Sequence, residues 1–154
     1  MRFEDLMAAL AETLGARDGF TPDEDGTVTL EMNGVTFSFL EQTDYPVPGH
    51  AALLMWGRFD GLTSENADAL AAEMLRANDR PDDPGGPTLS LLDEMVCLQQ
   101  TLSLDLLDAE TLARESDAFI GALMDWHKRV LEYRGPADGA AEESLPMDGM
   151  FLRV

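Results

Sequence analysis

Three stretches of the chain repeat apolar side chains at helical spacing. They cover residues 3–14, 67–75 and 112–131. Side chains three or four positions apart lie on the same face of a helix, so each stretch predicts an amphipathic helix. Gly15 is placed to end the first helix, and Asp108 is placed to cap the N-terminus of the last one.

Residues 27–40 alternate between apolar and polar side chains, which predicts two half-buried strands. Asn33-Gly34 lies between them, and this pair favours a two-residue type I′ turn because both positions tolerate positive φ. The turn fixes the register, with Met32 facing Val35, Leu30 facing Phe37 and Val28 facing Phe39. The two strands are therefore expected to form a hairpin with one apolar face.

Residues 51–59 predict a third strand that is apolar on both faces, with Leu53 and Met55 on one side and Leu54 and Trp56 on the other. Such a strand is central in its sheet, or a helix or another chain covers its second face. Residues 88–92 and 95–104 predict two more strands on either side of a turn at Asp93-Glu94. Gln99 and Gln100 in the last strand indicate that at least one face there is exposed.

The predicted order of elements is α-β-β-β-α-β-β-α. Short connections and the absence of a repeating βαβ pattern indicate an α+β fold, with an antiparallel twisted sheet of about five strands and three helices. Residues 1–135 form a single predicted domain. Residues 136–154 have linker composition followed by a late apolar cluster, and they are interpreted as a C-terminal tail.

The middle helix is a candidate joint, either between two halves of the fold or between two copies of it. Its apolar stripe contains small side chains, which permit close approach of another element. The stripe consists of Ala67, Leu70, Ala71, Met74 and Leu75. The turn-rich loop that follows ends at Gly86-Pro87, where the chain resumes as a strand.

The chain is strongly acidic, with 10 basic and 30 acidic residues and a formal net charge of -20. This charge disfavours nucleic acids and anionic membranes as partners, and it suits a basic or a neutral apolar one. Cys97 is the sole cysteine, so no internal disulfide is possible, and its apolar strand predicts a buried thiol. No stretch has the length of a membrane span, and a cytoplasmic protein is expected.

The sequence offers little catalytic chemistry. The two histidines are His50, in a loop rich in proline and glycine, and His127, beside the apolar stripe of the last helix. Spacings typical of metal ligands, phosphate-binding loops and nucleophile elbows are not found. We therefore predict a protein that is not an enzyme and that needs no metal or cofactor.

The chain resembles the class I chaperones of type III secretion systems, the Tir-chaperone (CesT-like) family, over roughly residues 3–133. The resemblance rests on the order of elements, on the acidic character and on particular stretches. These are LAAEMLRAN at residues 70–78, GPTLSL at residues 86–91, and LSL at residues 102–104 leading to Leu107-Asp108 and a helix with Leu112, Phe119 and Trp126.

The resemblance implies a homodimer that binds the N-terminal region of a secreted effector in an extended form, without ATP. A strand of the effector can add to an exposed edge of the sheet. Residues implied at the dimer interface are Ala67, Leu70, Ala71, Met74 and Leu89. Residues implied in effector binding are Phe3, Leu6, Leu10, Val28, Leu30, Phe37 and Trp56.

Several alternatives remain open at this level. The same fold would serve a regulatory adaptor that binds a folded cytoplasmic partner. The hairpin face that carries Leu30 and Phe37 is interpreted as core in preference to groove. Met74→Glu is expected to weaken the dimer, and residues 150–152 of the tail are expected to dock on an apolar surface.

Overall fold

The computed structural model describes residues 2–80, 82–83 and 85–133. Its order of elements confirms the predicted α+β fold of five antiparallel strands and three α-helices. The elements are α1 (Phe3–Thr13), β1 (Val28–Met32), β2 (Val35–Thr43), β3 (Ala51–Asp60), α2 (Ala67–Asn78), β4 (Thr88–Leu92), β5 (Met95–Ser103) and α3 (Ala109–Glu132). A short 3-10 helix, Leu104–Leu106, connects β5 to α3.

The strands form one sheet in the order β1-β2-β3-β5-β4, so β3 is central and β1 and β4 are the two edges. The predicted hairpin is confirmed in turn and register, since Met32 pairs with Val35 and Val28 with Phe39. Asn33 has φ 53° and Gly34 has φ 81°, the positive values that a type I′ turn requires.

The helices α1 and α3 pack on one face of the sheet, which is called the covered face below. It carries the large buried side chains Val28, Phe37, Phe39, Leu53, Met55, Phe59, Val96 and Leu98. The Leu123 side chain of α3 lies directly over Gly57, where a Cβ atom would stand 2.3 Å from Leu123 Cδ2. The missing side chain at Gly57 therefore lets α3 approach the middle of the sheet.

Two local features fix where helices begin and end. The Oδ1 atom of Asp108 accepts a hydrogen bond of 2.8 Å from the backbone N–H of Thr111, which confirms the predicted N-cap of α3. The same bond lowers the pKa of the Asp108 carboxyl below its usual range. Gly15 has φ 72° and follows the last turn of α1, as predicted.

Two side chains differ in exposure from their neighbours in the sequence pattern. Leu75 was assigned to the apolar stripe of α2, yet 70% of it is exposed. The stripe that faces the core is narrower and is centred on Leu70 and Met74, so Leu75 lies on its solvent-facing flank. The expected exposed face at Gln99 and Gln100 is present at Gln99, whereas Gln100 is only 8% exposed and points to the covered face between Leu98 and Leu102.

The predicted boundary between the domain and its tail lies outside the described residues. The same is true of the predicted docking of residues 150–152. Both stay predictions.

Candidate protein-binding site

Six of the residues assigned to effector binding meet on the covered face, but most are core. Phe3, Leu6, Leu10, Val28 and Phe37 are each at most 8% exposed, and Leu30 is half-buried. Trp56 is separated from all of them, because it points to the opposite face of β3. The interpretation of Phe37 as core agrees with its burial, and the role of the whole set in binding stays a prediction.

An apolar groove nevertheless runs along the outer side of α1, between this helix and the loop of residues 15–22. It consists of two cavities of about 220 and 350 Å³, both lined by Ala8 and Gly19. The smaller one is also bounded by Phe3, Met7, Phe20 and Val28. We call this feature the α1 groove. Because Val28 belongs to β1, the groove ends at the edge of the sheet.

The β1 edge offers unpaired backbone groups beside the α1 groove. In a hairpin with a two-residue turn, the residues that flank the turn share hydrogen bonds, so Thr29 and Glu31 direct their N–H and C=O groups away from β2. The backbone groups of Thr27 also point away from β2, but both are hydrogen-bonded to Asp23. Asp23 N donates to Thr27 O, and Thr27 N donates to Asp23 Oδ1. The open part of this edge is therefore the Thr29–Glu31 segment.

The β4 edge is closed at its centre by α2. The side-chain amide of Asn78 donates a hydrogen bond of 2.8 Å to Leu89 O and accepts one of 2.7 Å from Leu89 N. The amide thus makes the two hydrogen bonds that the backbone of an added strand would otherwise make with Leu89. Sequence reasoning did not assign this role to Asn78, since a polar residue at the end of a helix is equally consistent with solvent exposure.

We expect Asn78→Ala to lower the free energy of unfolding by about 1–3 kcal/mol, because it leaves both backbone groups of Leu89 without partners. Chemical denaturation with urea measures this change. Asn78→Asp is the matched variant: it keeps an acceptor for Leu89 N but loses the donor to Leu89 O, and it should also be destabilised. Wild-type stability of both variants would contradict the bracing role of the amide.

The residues assigned to a dimer interface divide into two groups. Leu70, Met74 and Leu89 are at most 4% exposed within the single chain, while Ala67 and Ala71 are half-buried. The buried three offer little surface to a second chain, and their role in a dimer stays a prediction. The same elements expose three other apolar side chains, namely Leu75 at 70%, Leu91 at 41% and Leu92 at 48%.

The second face of the sheet has Trp56 at its centre. The guanidinium of Arg58 lies 5.1 Å from the centroid of the Trp56 ring. Cys97 is 2% exposed on the same face, as the predicted buried thiol requires, and burial raises its pKa above the usual range. Two neighbours of the Trp56 ring, Arg58 and Cys97, are therefore strand side chains.

The histidines take no part in the cavities described here. His50 is exposed, with Nδ1 3.3 Å from Asp105 Oδ2, and His127 packs on Phe59 with 5.0 Å between ring centroids. Within residues 2–80, 82–83 and 85–133, no group of three or more His, Cys, Asp or Glu side chains is arranged to hold a metal ion. In the same part of the chain, no helix has the length and apolar character that crossing a membrane requires.

A five-stranded antiparallel sheet, with α1 and α3 on one face and an apolar groove beside an open edge, defines a small α+β protein with a surface suited to an extended polypeptide. The profile of the Tir chaperone protein (CesT) family matches residues 5–127. The chain therefore belongs to this family, which confirms the resemblance. No curated protein sequence matches it significantly.

Solved chaperone complexes share the fold. A chain of the HopA1–SchA chaperone–effector complex aligns over 82% of this chain and 93% of its own length, with 19% identity and a TM-score of 0.61. The type III secretion chaperone SycH of Yersinia pestis, bound to a fragment of YscM2, aligns over 80% of this chain and 98% of its own length. Its identity is 16% and its TM-score is 0.61. A chain of the ExoU–SpcU complex of Pseudomonas aeruginosa aligns over 84% of this chain and 95% of its own length, with 15% identity and a TM-score of 0.56. At these identities the similarity establishes the fold.

Proposed function

We propose that this protein is a homodimeric, cytoplasmic chaperone that binds the N-terminal segment of a type III secreted effector and keeps it extended and soluble. The observation that carries the proposal is the open β1 edge beside the α1 groove. An extended peptide that pairs with Thr29 and Glu31 would lie next to Val28, which also lines the groove. Its backbone would bind the edge while its apolar side chains enter the cavities.

The dimer is proposed to form through α2 and β4. Leu75 lies three positions before Asn78, so the two are neighbours on the helix surface, and Asn78 contacts β4. Leu75 is thus on the β4 side of α2, and Leu91 is exposed on the covered face of β4. These two leucines are proposed as the anchors, in place of the buried Leu70, Met74 and Leu89.

Co-expression with the protein encoded by the neighbouring open reading frame tests the chaperone function. We expect the N-terminal segment of that protein to copurify and to be protease-sensitive when free. A partner that is fully folded without the chain would favour the regulatory adaptor instead. A neighbour that neither copurifies nor gains solubility would remove the main support for the proposal.

Glu31→Pro tests the β1 edge. Proline removes only the outward N–H of Glu31, which donates to no neighbouring strand, so the hairpin should persist. We expect affinity for the copurified segment to fall about fivefold, as the loss of one hydrogen bond predicts. Glu31→Thr, which keeps the N–H, is the control for the loss of the side chain. Equal affinity of all three proteins would place the partner elsewhere.

A further inference from the structure

A cavity of about 470 Å³ opens beside β5, two strands away from β2 and remote from the β1 edge. It lies between the end of β5, the 3-10 helix and the first turns of α3, and we call it the β5–α3 pocket. Its apolar wall is formed by Leu102, Leu107 and Phe119, and Leu106 stands at its rim with 85% of its surface exposed. An apolar side chain that protrudes this far is available to a partner.

The inner end of the pocket is polar, although it belongs to the covered face. Gln100 is 8% exposed, and its Nε2 atom donates hydrogen bonds to Gly85 O at 3.2 Å and to Glu115 Oε2 at 3.5 Å. Its Oε1 atom has no hydrogen-bond partner among the described residues. Among the described residues no fully buried side-chain oxygen lacks a partner, so this carbonyl oxygen is reached by solvent through the pocket and is open to a donor from a ligand.

The charges around this oxygen define the ligand further. The Oε1 atom of Glu115 faces the exposed Arg114 at 3.3 Å, whereas its Oε2 atom is directed to Gln100. Asp83 adds a second carboxylate to the lining, and no basic side chain lines the pocket among the described residues. A ligand group that fits these acceptors and carboxylates has several hydrogen-bond donors, a positive charge and an apolar neighbour.

We propose that the β5–α3 pocket is a subsite for an arginine side chain of the bound partner. A guanidinium would donate to Gln100 Oε1 and to the Glu115 carboxylate, because its planar fork presents donors in two directions. The apolar residue next to that arginine would pack on Leu102 and Phe119. The inference rests on the proposed function in one respect, namely that the partner enters as an extended peptide.

Two short peptides test the subsite on the full chain: acetyl-Leu-Arg-Leu-amide and its twin with citrulline, which has the shape of arginine without the charge. We expect the arginine peptide to shift the NMR signals of the Gln100 side-chain amide and the Thr111 backbone. Its dissociation constant should be about fivefold lower than that of the citrulline twin, an advantage typical of a partly exposed ion pair. Glu115→Gln should abolish the difference.

Glu110→Gln is the matched control, because Glu110 is an exposed carboxylate in the first turn of α3 that does not line the pocket. It should leave the difference between the peptides unchanged. Equal affinity of the two peptides would overturn the subsite. So would NMR shifts confined to the α1 groove, or a Gln100 signal that changes on dilution because a second copy fills the pocket.

Copurification of the partner and the Glu31→Pro result do not depend on Glu115, so failure of the subsite is distinguishable from failure of the proposed function.

Discussion

Gly57→Ala is expected to lower the free energy of unfolding by about 2–3 kcal/mol, a large share of the roughly 5–15 kcal/mol that a domain possesses. The added Cβ atom would stand 2.3 Å from Leu123 Cδ2 and 2.8 Å from Leu123 Cδ1. Because Leu123 is fully buried on α3 and Gly57 is central in β3, neither backbone can move away freely. Urea denaturation of the purified variant measures the loss.

A double-mutant cycle separates this contact from other effects. Leu123→Ala alone should cost about 2–5 kcal/mol because it leaves a cavity. The combined variant should cost less than the two losses together, since the alanine at position 57 enters that cavity. Gly121→Ala is the control on the same helix: nothing lies within 4 Å of its added Cβ, so stability should stay equal or rise by about 0.5–1 kcal/mol. Additive losses in the cycle would refute the contact as the cause.

The same substitution at two adjacent residues of α2 should affect different properties: the stability of the protomer at Met74 and the affinity of the dimer at Leu75. Met74→Glu buries a carboxylate at a side chain that is 2% exposed, so the protomer itself should lose about 4 kcal/mol or more. The expectation from sequence was that Met74→Glu weakens the dimer, and the burial of Met74 adds a loss of stability within the protomer. Leu75→Glu changes a side chain that is 70% exposed, so the protomer should be affected by only about 0.5 kcal/mol.

For Leu75→Glu, we expect the dimer dissociation constant to rise about tenfold or more, because a charge would enter the proposed apolar interface. Sedimentation velocity measures the dimer, and circular dichroism verifies the fold of each variant. Leu14→Glu is the matched control, since Leu14 is 50% exposed at the end of α1, away from α2 and β4. A dimer that withstands Leu75→Glu while the protomer stays folded would exclude Leu75 from the interface.

The sequence predicted those features that local chemistry determines. The Asn33-Gly34 turn dictates its own register, and the side chain of Asp108 reaches the third residue ahead of it, so neither depends on the rest of the chain. The order of elements followed from such local patterns. The fold class was therefore confirmed almost element by element.

Features that depend on distant neighbours were not predicted. Apolar periodicity marks a side chain that avoids water, but it does not distinguish Leu70, which the core covers, from Leu75, which the same chain leaves open. The burial of Gln100 depends on where α3 and Gly85 lie, and a glutamine in a strand shows no local sign of it. For the same reason the candidate site was predicted as a set of apolar residues with an unspecified sheet edge, while the identity of the open edge and the polar pocket became visible only in three dimensions.

The two tryptophans lie on different sides of the sheet, and this makes them separate optical reporters. Trp126 is 8% exposed on α3, with Arg129 4.5 Å from its ring, whereas Trp56 is half-buried on the second face close to the thiol of Cys97. Fluorescence of the Trp126→Phe protein would thus come from the second face alone, and that of the Trp56→Phe protein from the helical side. Changes in emission on adding a partner would reveal which side of the molecule the partner affects.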